Sequence, residues 1–270
     1  MAGLTKPLPD LGAWVRYLAQ AEIPVFAATA AALEELRPTD DALMEKIAPA
    51  RLGAVIEADP LMTIKLMAHV ATRRKHMDNA LPETVLSLVV LTGIAPFFRQ
   101  FGAQPTVEDR LQEHPEALSA VQALYLRSER AGRFALAFAV HRADPDAAVI
   151  RQSACLQDFA EMLVWCHAPE LMLQVRAAQR AHPTLRSSHI QPEVLNVELE
   201  KLRQALLQHW HMPDLHTRSV QLASRLARHT EQGWGNPALP DDIQDIAQLL
   251  HATPRVALAY VKKVDGSADA

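Results

Sequence analysis

A chain of 270 residues with 49% apolar and 21% charged residues can bury one large core or two modest ones, and it is too apolar to be disordered. Its formal net charge of -4 argues against a nucleic-acid partner, which calls for a basic footprint, and no apolar run approaches the roughly 20 residues of a membrane span. Met1 to Asp10 lacks the charged start and apolar stretch of a signal peptide, so a cytoplasmic location is expected.

Glycine is scarce while alanine and leucine abound, which predicts an all-α fold. In chain order, Leu11, Trp14, Val15 and Leu18 have the spacing of a short amphipathic helix. Pro24 precedes a second helix, Val25 to Leu36. Pro38-Thr39-Asp40-Asp41 breaks it, with either aspartate a possible cap for a helix through Ala42, Leu43 and Ile47, which Pro49 interrupts. Arg51 to Met67 reads as helix, stop, helix: Asp59 caps the second piece and Pro60 takes its first position, where a missing N–H costs nothing. The helix beginning near Leu81-Pro82-Glu83 carries Val85, Leu86, Leu88, Val89, Val90 and Leu91. It is apolar nearly all round and is expected to lie at the centre of a core. Thr92-Gly93 ends it and Ile94 to Phe101 resumes.

A polar seam at about 102–115 separates two helix-rich halves. Beyond it, helices are predicted over Glu116–Arg142, Asp146–Cys166, Glu170–Ala181, Glu193–His209 and Leu215–His229, then a loop over 232–240 and helices over Asp241–Lys262 interrupted near Pro254. The expected organisation is an N-terminal helical extension (1–22), a main domain (23–262, in parts of about 23–102 and 116–262) and a frayed tail (263–270). Cys155 and Cys166 are eleven residues apart. On one continuous helix that puts them about 16 Å apart along the axis, too far for a disulfide, and both read as buried thiols.

Several segments together resemble the HDOD family, helical regulatory modules of bacteria related to the HD-type phosphohydrolases. They are Ile23-Pro24-Val25-Phe26, Ile56-Glu57-Ala58-Asp59-Pro60-Leu61, the helix Met62 to Val70, the helix Leu81 to Gly93, Leu156-Gln157-Asp158-Phe159-Ala160 and Trp210-His211-Met212-Pro213. The resemblance implies a helical N-terminal part packed on an HD-like bundle, and a non-catalytic role in signal transduction through a protein partner. It also marks what is lost. Asp158 stands where the family's HD dyad has its Asp, but Gln157 holds the His position. Arg127 or Ser128, Leu199, and Ala223 or Ser224 fall where working HD sites carry further histidines. A transition-metal site needs several imidazole, thiolate or carboxylate donors at once, and an amide is a poor substitute. The expectation is therefore no catalytic, cofactor-binding or metal residue, with Gln157 and Asp158 the degenerate remnant.

Three features compete with that reading. Arg127, Arg130 and Arg133 recur every three residues, either as an ion-paired helix face or as a grip for an anionic nucleotide. Arg73-Arg74-Lys75-His76 is a basic run, better explained by a solvated loop or a helix C-terminus than by a grip on a phosphate or an acidic partner. A remodelled metal-dependent phosphohydrolase would need Asp158, His141 and His167 to converge. His209-Trp210-His211 and Trp165-Cys166-His167 place their side chains on different helix faces and cannot readily share one ion.

Overall fold

The computed structural model describes residues 3–37, 47–73, 84–182, 185, 187–212 and 217–266. Among them the regular structure is helical, with one isolated parallel bridge between Val25 and Thr106. The helices are α1 (Leu11–Gln20), α2 (Ala27–Leu36), α3 (Pro49–Glu57), α4 (Pro60–Arg73), α5 (Val85–Thr92), α6 (Ile94–Gln100), α7 (Val107–Arg110), α8 (Pro115–His141), α9 (Ala147–Cys155), α10 (Phe159–His167), α11 (Pro169–Ala181), α12 (Ser187–Leu195), α13 (Leu199–His209), α14 (Arg218–His229), α15 (Leu239–Leu249) and α16 (Pro254–Val264). No described helix is long and apolar enough to cross a membrane.

Three sequence expectations need correction. Asp146–Cys166 is two helices: α9 stops at Cys155 and a turn over 156–158 intervenes, so the cysteines do not share a helix. Cys166 is buried, but Cys155 is only half-buried. Glu193–His209 likewise divides, because Asn196 adopts a left-handed backbone (φ 59°) that no helix can carry through. Pro49 takes the first position of α3; Ala42 and Leu43 of the helix expected before it lie outside the described residues. The proposed caps at Asp40 and Asp41, the start of α5 near Leu81, and Arg74 to His76 lie outside the described residues.

The chain folds as two compact units, one of residues 1–123 and 158–213, the other of 124–157 and 214–270. The seam at 102–115 thus lies inside the first unit, and the chain changes unit within α8 and again between Gln157 and Asp158.

In the first unit, Asp10 caps α1 by accepting from the Ala13 N–H at 2.8 Å. The buried Trp14 of α1 donates its indole N–H to the Leu195 carbonyl (2.8 Å), tying α1 to the end of α12. The segment around Pro24 is held by Val25 N–H to Pro105 O (3.0 Å) and Val107 N–H to Val25 O (2.8 Å). Helix α10 is the most deeply sunk element, with Phe159, Met162, Leu163, Val164 and Trp165 all buried, and it packs on α4, α11 and α13. Burying side chains of this size contributes about 1.5–3 kcal/mol each.

The second unit has its own core, built from Phe134 and Phe138 of α8, Ile150 of α9, Val220 and Leu226 of α14, Ile243 and Ile246 of α15, and Ala257 and Val261 of α16. Helices α8 and α9 approach closely at Gly132, where an added Cβ would sit 2.3 Å from the Cys155 sulfur. Asp242, almost fully buried, takes Arg225 Nε at 2.6 Å and His229 Nδ1 at 2.5 Å, and Arg225 also pairs with Asp245.

Helix α5 departs most from expectation. Val85, Leu88 and Val89 are buried, but Leu86 is 42%, Val90 62% and Leu91 45% exposed. It is a surface helix with an apolar outer face, not a central one.

Candidate functional site

The turn that resembles an HD dyad is fixed locally. Leu156 N–H bonds the Gln152 carbonyl (3.1 Å) and closes α9, while Asp158 occupies the N-cap position of α10, its carbonyl receiving the Met162 N–H at 3.1 Å. The Gln157 amide turns back along α9 and donates to the Ser153 carbonyl at 3.0 Å. The group standing in the imidazole's place is thus an amide engaged with its own helix. Asp158 is buried at the start of α10.

The other positions where the family pattern expects histidine carry little ligand chemistry. Ser128 is buried in α8, Leu199 is a core side chain of α13, and Ala223 is a core side chain of α14 beside Ser224. Among the described residues, no three or more His, Cys, Asp or Glu side chains gather where they could hold a metal ion.

The two histidines that a remodelled site would recruit are already engaged. Arginine only donates, so the 2.8 Å contact from Arg110 Nη2 makes His167 Nδ1 the acceptor; His167 Nε2 then carries the proton and donates to the Glu22 carbonyl at 3.1 Å. Burial, reinforced by the Arg110 charge, pushes this imidazole down to about 4. His141 Nε2 meets the Leu250 carbonyl at 3.2 Å. Next to His167, burial pushes the Cys166 thiol up to about 12, far from a reactive thiolate.

Arg127, Arg130 and Arg133 do line one face of α8. Arg130 makes a fork onto Asp265 (Nε–Oδ1 2.9 Å, Nη2–Oδ2 2.8 Å) and also donates to the carbonyl and hydroxyl of Thr230 (3.0 and 2.9 Å). Arg127 lies 3.6 Å from Glu231. Arg133 stands 3.4 Å from Glu129 and 4.0 Å from Asp265. The distances describe an ion-paired face.

The Trp210 anchor ends α13 and is buried, its ring centroid 6.1 Å from that of Phe159. His209 and His211 flank it in exposed positions, and a left-handed backbone at His211 (φ 53°) carries the chain out of the helix. Met212 is buried, and Pro213 lies outside the described residues. Arg73 is exposed in the last turn of α4, where a cation complements the helix dipole.

Sequence reasoning missed the polar centre of the first unit. Asp59, fully buried, caps α4 as expected through Leu61 N–H (2.8 Å) and Met62 N–H (3.2 Å), and it also accepts the Phe26 N–H at 2.9 Å from across the unit. Burial pushes this carboxyl up, while those N–H donors and the Thr29 side chain pull it down. Lys65 gathers Glu22, the Ile23 carbonyl (2.8 Å) and Gln104 (2.5 Å). The local cap signal at Asp59-Pro60 was readable; contacts across 33 to 145 residues were not.

The model of the HDOD domain family matches residues 23–226. In fold, the chain is similar to the MmoQ response regulator of Methylococcus capsulatus, with 16% identity over 90% of this chain and 99% of that one and a TM-score of 0.67. It is also similar to a virulence factor of Campylobacter jejuni, with 14% identity over 96% of this chain and 99% of that one and a TM-score of 0.61. No curated protein matches it in sequence.

Proposed function

Because the chain belongs to the HDOD domain family, we propose that it is a non-enzymatic, cytoplasmic regulatory module of a bacterial signalling pathway and works by binding a protein partner. The observation that carries this reading is Gln157, an amide donating to the Ser153 carbonyl where a metal-binding imidazole would stand. The engaged nitrogens of His167 add support, since a neutral imidazole that accepts at Nδ1 and donates at Nε2 has no lone pair left for a metal. The response-regulator name of the Methylococcus protein supports the signalling half of the reading.

The test is elemental analysis of the untagged 270-residue chain purified without chelator, together with phosphodiesterase assays on the same sample. The expected result is no stoichiometric Mn, Fe, Co, Ni or Zn and no turnover. A retained stoichiometric metal whose removal abolishes a hydrolytic activity overturns the proposal.

A further inference from the structure

We infer that the outer face of α5 docks an amphipathic helix of a partner protein, one whose apolar stripe is flanked by acidic side chains. This rests on the reading of the chain as a protein-binding module and names the surface that does the binding.

Three large apolar side chains, Leu86, Val90 and Leu91, point outward from one helix of eight residues. Scattered exposed leucines and valines are ordinary, but several concentrated on one short helix are the mark of an interaction surface. Leu86 and Val90 are one helical turn apart, so they form a stripe along the axis, and Leu91 widens it. Helix α3 lies against this stripe: a Cβ built on Gly53 would be 3.7 Å from the Leu86 Cα, and the neighbouring Ala54 is exposed. Small side chains on α3 beside tall ones on α5 make the two-helix surface into which a third helix packs its own apolar face.

Charge selects the occupant. Helices α3, α4 and α6 all pack on α5. Their exposed charged residues are Arg51, Arg73 and Arg99, all basic, while Glu57, at the end of α3, is half-buried. These exposed cations, carried by the helices that border α5, are opposite in sign to the chain's net charge of -4. A second copy docking about a two-fold axis would bring the same basic-flanked patch of both subunits together, cation facing cation, because such an interface is self-paired. A helix with glutamate or aspartate beside its apolar stripe meets both the leucines and the arginines.

The probe is a synthetic helical peptide with leucines along one face and glutamates on both flanks, compared with the same peptide carrying lysines on the flanks. Binding to the full chain is followed by fluorescence anisotropy at low salt. The glutamate peptide is expected to bind and the lysine peptide not to. Val90→Glu and, separately, Leu91→Glu should each weaken binding about tenfold. Both positions face solvent, so unchanged circular dichroism is expected from each. Exchanging Arg51 and Arg99 together for glutamate should reverse the preference between the two peptides. Absence of binding by the glutamate peptide, or binding that neither Val90→Glu nor Leu91→Glu changes, overturns the inference. So does a wild-type dimer that Val90→Glu converts to monomer, since the occupant is then a second copy. If the peptide fails while the same chain is free of metal and turnover, the surface is wrong and the module reading stands; if metal and turnover are present, the module reading itself falls.

Discussion

His167 accepts a hydrogen bond from Arg110 at Nδ1 (2.8 Å) and donates from Nε2 to the Glu22 carbonyl (3.1 Å), so a buried imidazole bridges α7 and the chain entering the Pro24 segment in its neutral form only. Its folded value near 4 lies below the unfolded value of 6.5. The unfolded state therefore binds the extra proton first, and the stability this residue contributes is fully present above about pH 6.5 and lost as the pH falls toward 4. The loss approaches about 3 kcal/mol. Asp59, whose carboxyl is pushed up by burial, acts in the opposite sense, so the readout is a difference between proteins. Urea midpoints at pH 7 and pH 4.5 should fall much less in His167→Gln, which can keep both hydrogen bonds without titrating, than in the wild type. Equal falls in both would refute the assignment.

Asp59 satisfies three buried N–H groups, those of Phe26, Leu61 and Met62. Asp59→Ala leaves all three without an acceptor and should destabilise the fold by about 3 kcal/mol or more, as each orphaned group costs about 1–3 kcal/mol. Asp59→Asn keeps one acceptor oxygen and should fall between the two. Chemical denaturation checks the order wild type, Asn, Ala; an Ala variant within experimental error of wild type would contradict it.

Gly132 has no room for a methyl group, since the nearest atom to an added Cβ is the Cys155 sulfur at 2.3 Å and the next stand at 3.6 Å. Gly132→Ala should cost about 1–3 kcal/mol through overpacking. In a Cys155→Ala background the obstructing sulfur is gone, and the same substitution should cost distinctly less. A double-mutant cycle on thermal unfolding reads the coupling directly; a coupling of zero would show that the clash is not what sets the cost.

Arg130 and Arg133 sit three residues apart on α8 and should behave differently. Arg130 spends its guanidinium on Asp265 and Thr230, and its loss leaves the largely buried Asp265 carboxylate short of its fork; Arg130→Ala is expected to cost about 2–3 kcal/mol. Arg133, with its side chain 46% exposed and its acids at 3.4 and 4.0 Å, should change stability by less than about 0.5 kcal/mol. Melting temperatures measured with a nucleotide panel extend the comparison: with the guanidiniums already facing Glu231 and Asp265, none should rise appreciably. A rise lost in Arg130→Ala would favour an anionic ligand.

Features encoded within a few residues were legible in the sequence. The cap at Asp59-Pro60, the end of α5 at Gly93 and the break before Pro254 each follow from one residue's backbone chemistry. The break at Leu156-Gln157-Asp158 was not legible, because none of these residues forbids helix; the turn exists because packing places α10 in the core of one unit while α9 belongs to the other. The nature of α5 was hidden for the converse reason: its composition matches a buried helix, and only tertiary structure reveals that Leu86, Val90 and Leu91 on one flank are exposed. The partners of His167 are 57 and 145 residues away, beyond the reach of any periodicity.

The second core has a further consequence. The family pattern ends at residue 226, but Ile243, Ile246, Ala257 and Val261 belong to the same core as Phe134 and Phe138, and Asp265 completes the grip on Arg130. Upstream of residue 23, Trp14 satisfies the buried Leu195 carbonyl. A chain trimmed to the matched stretch would bare aromatic rings and strand a buried acceptor, so the stretch that matches the family pattern is shorter than the stretch that folds.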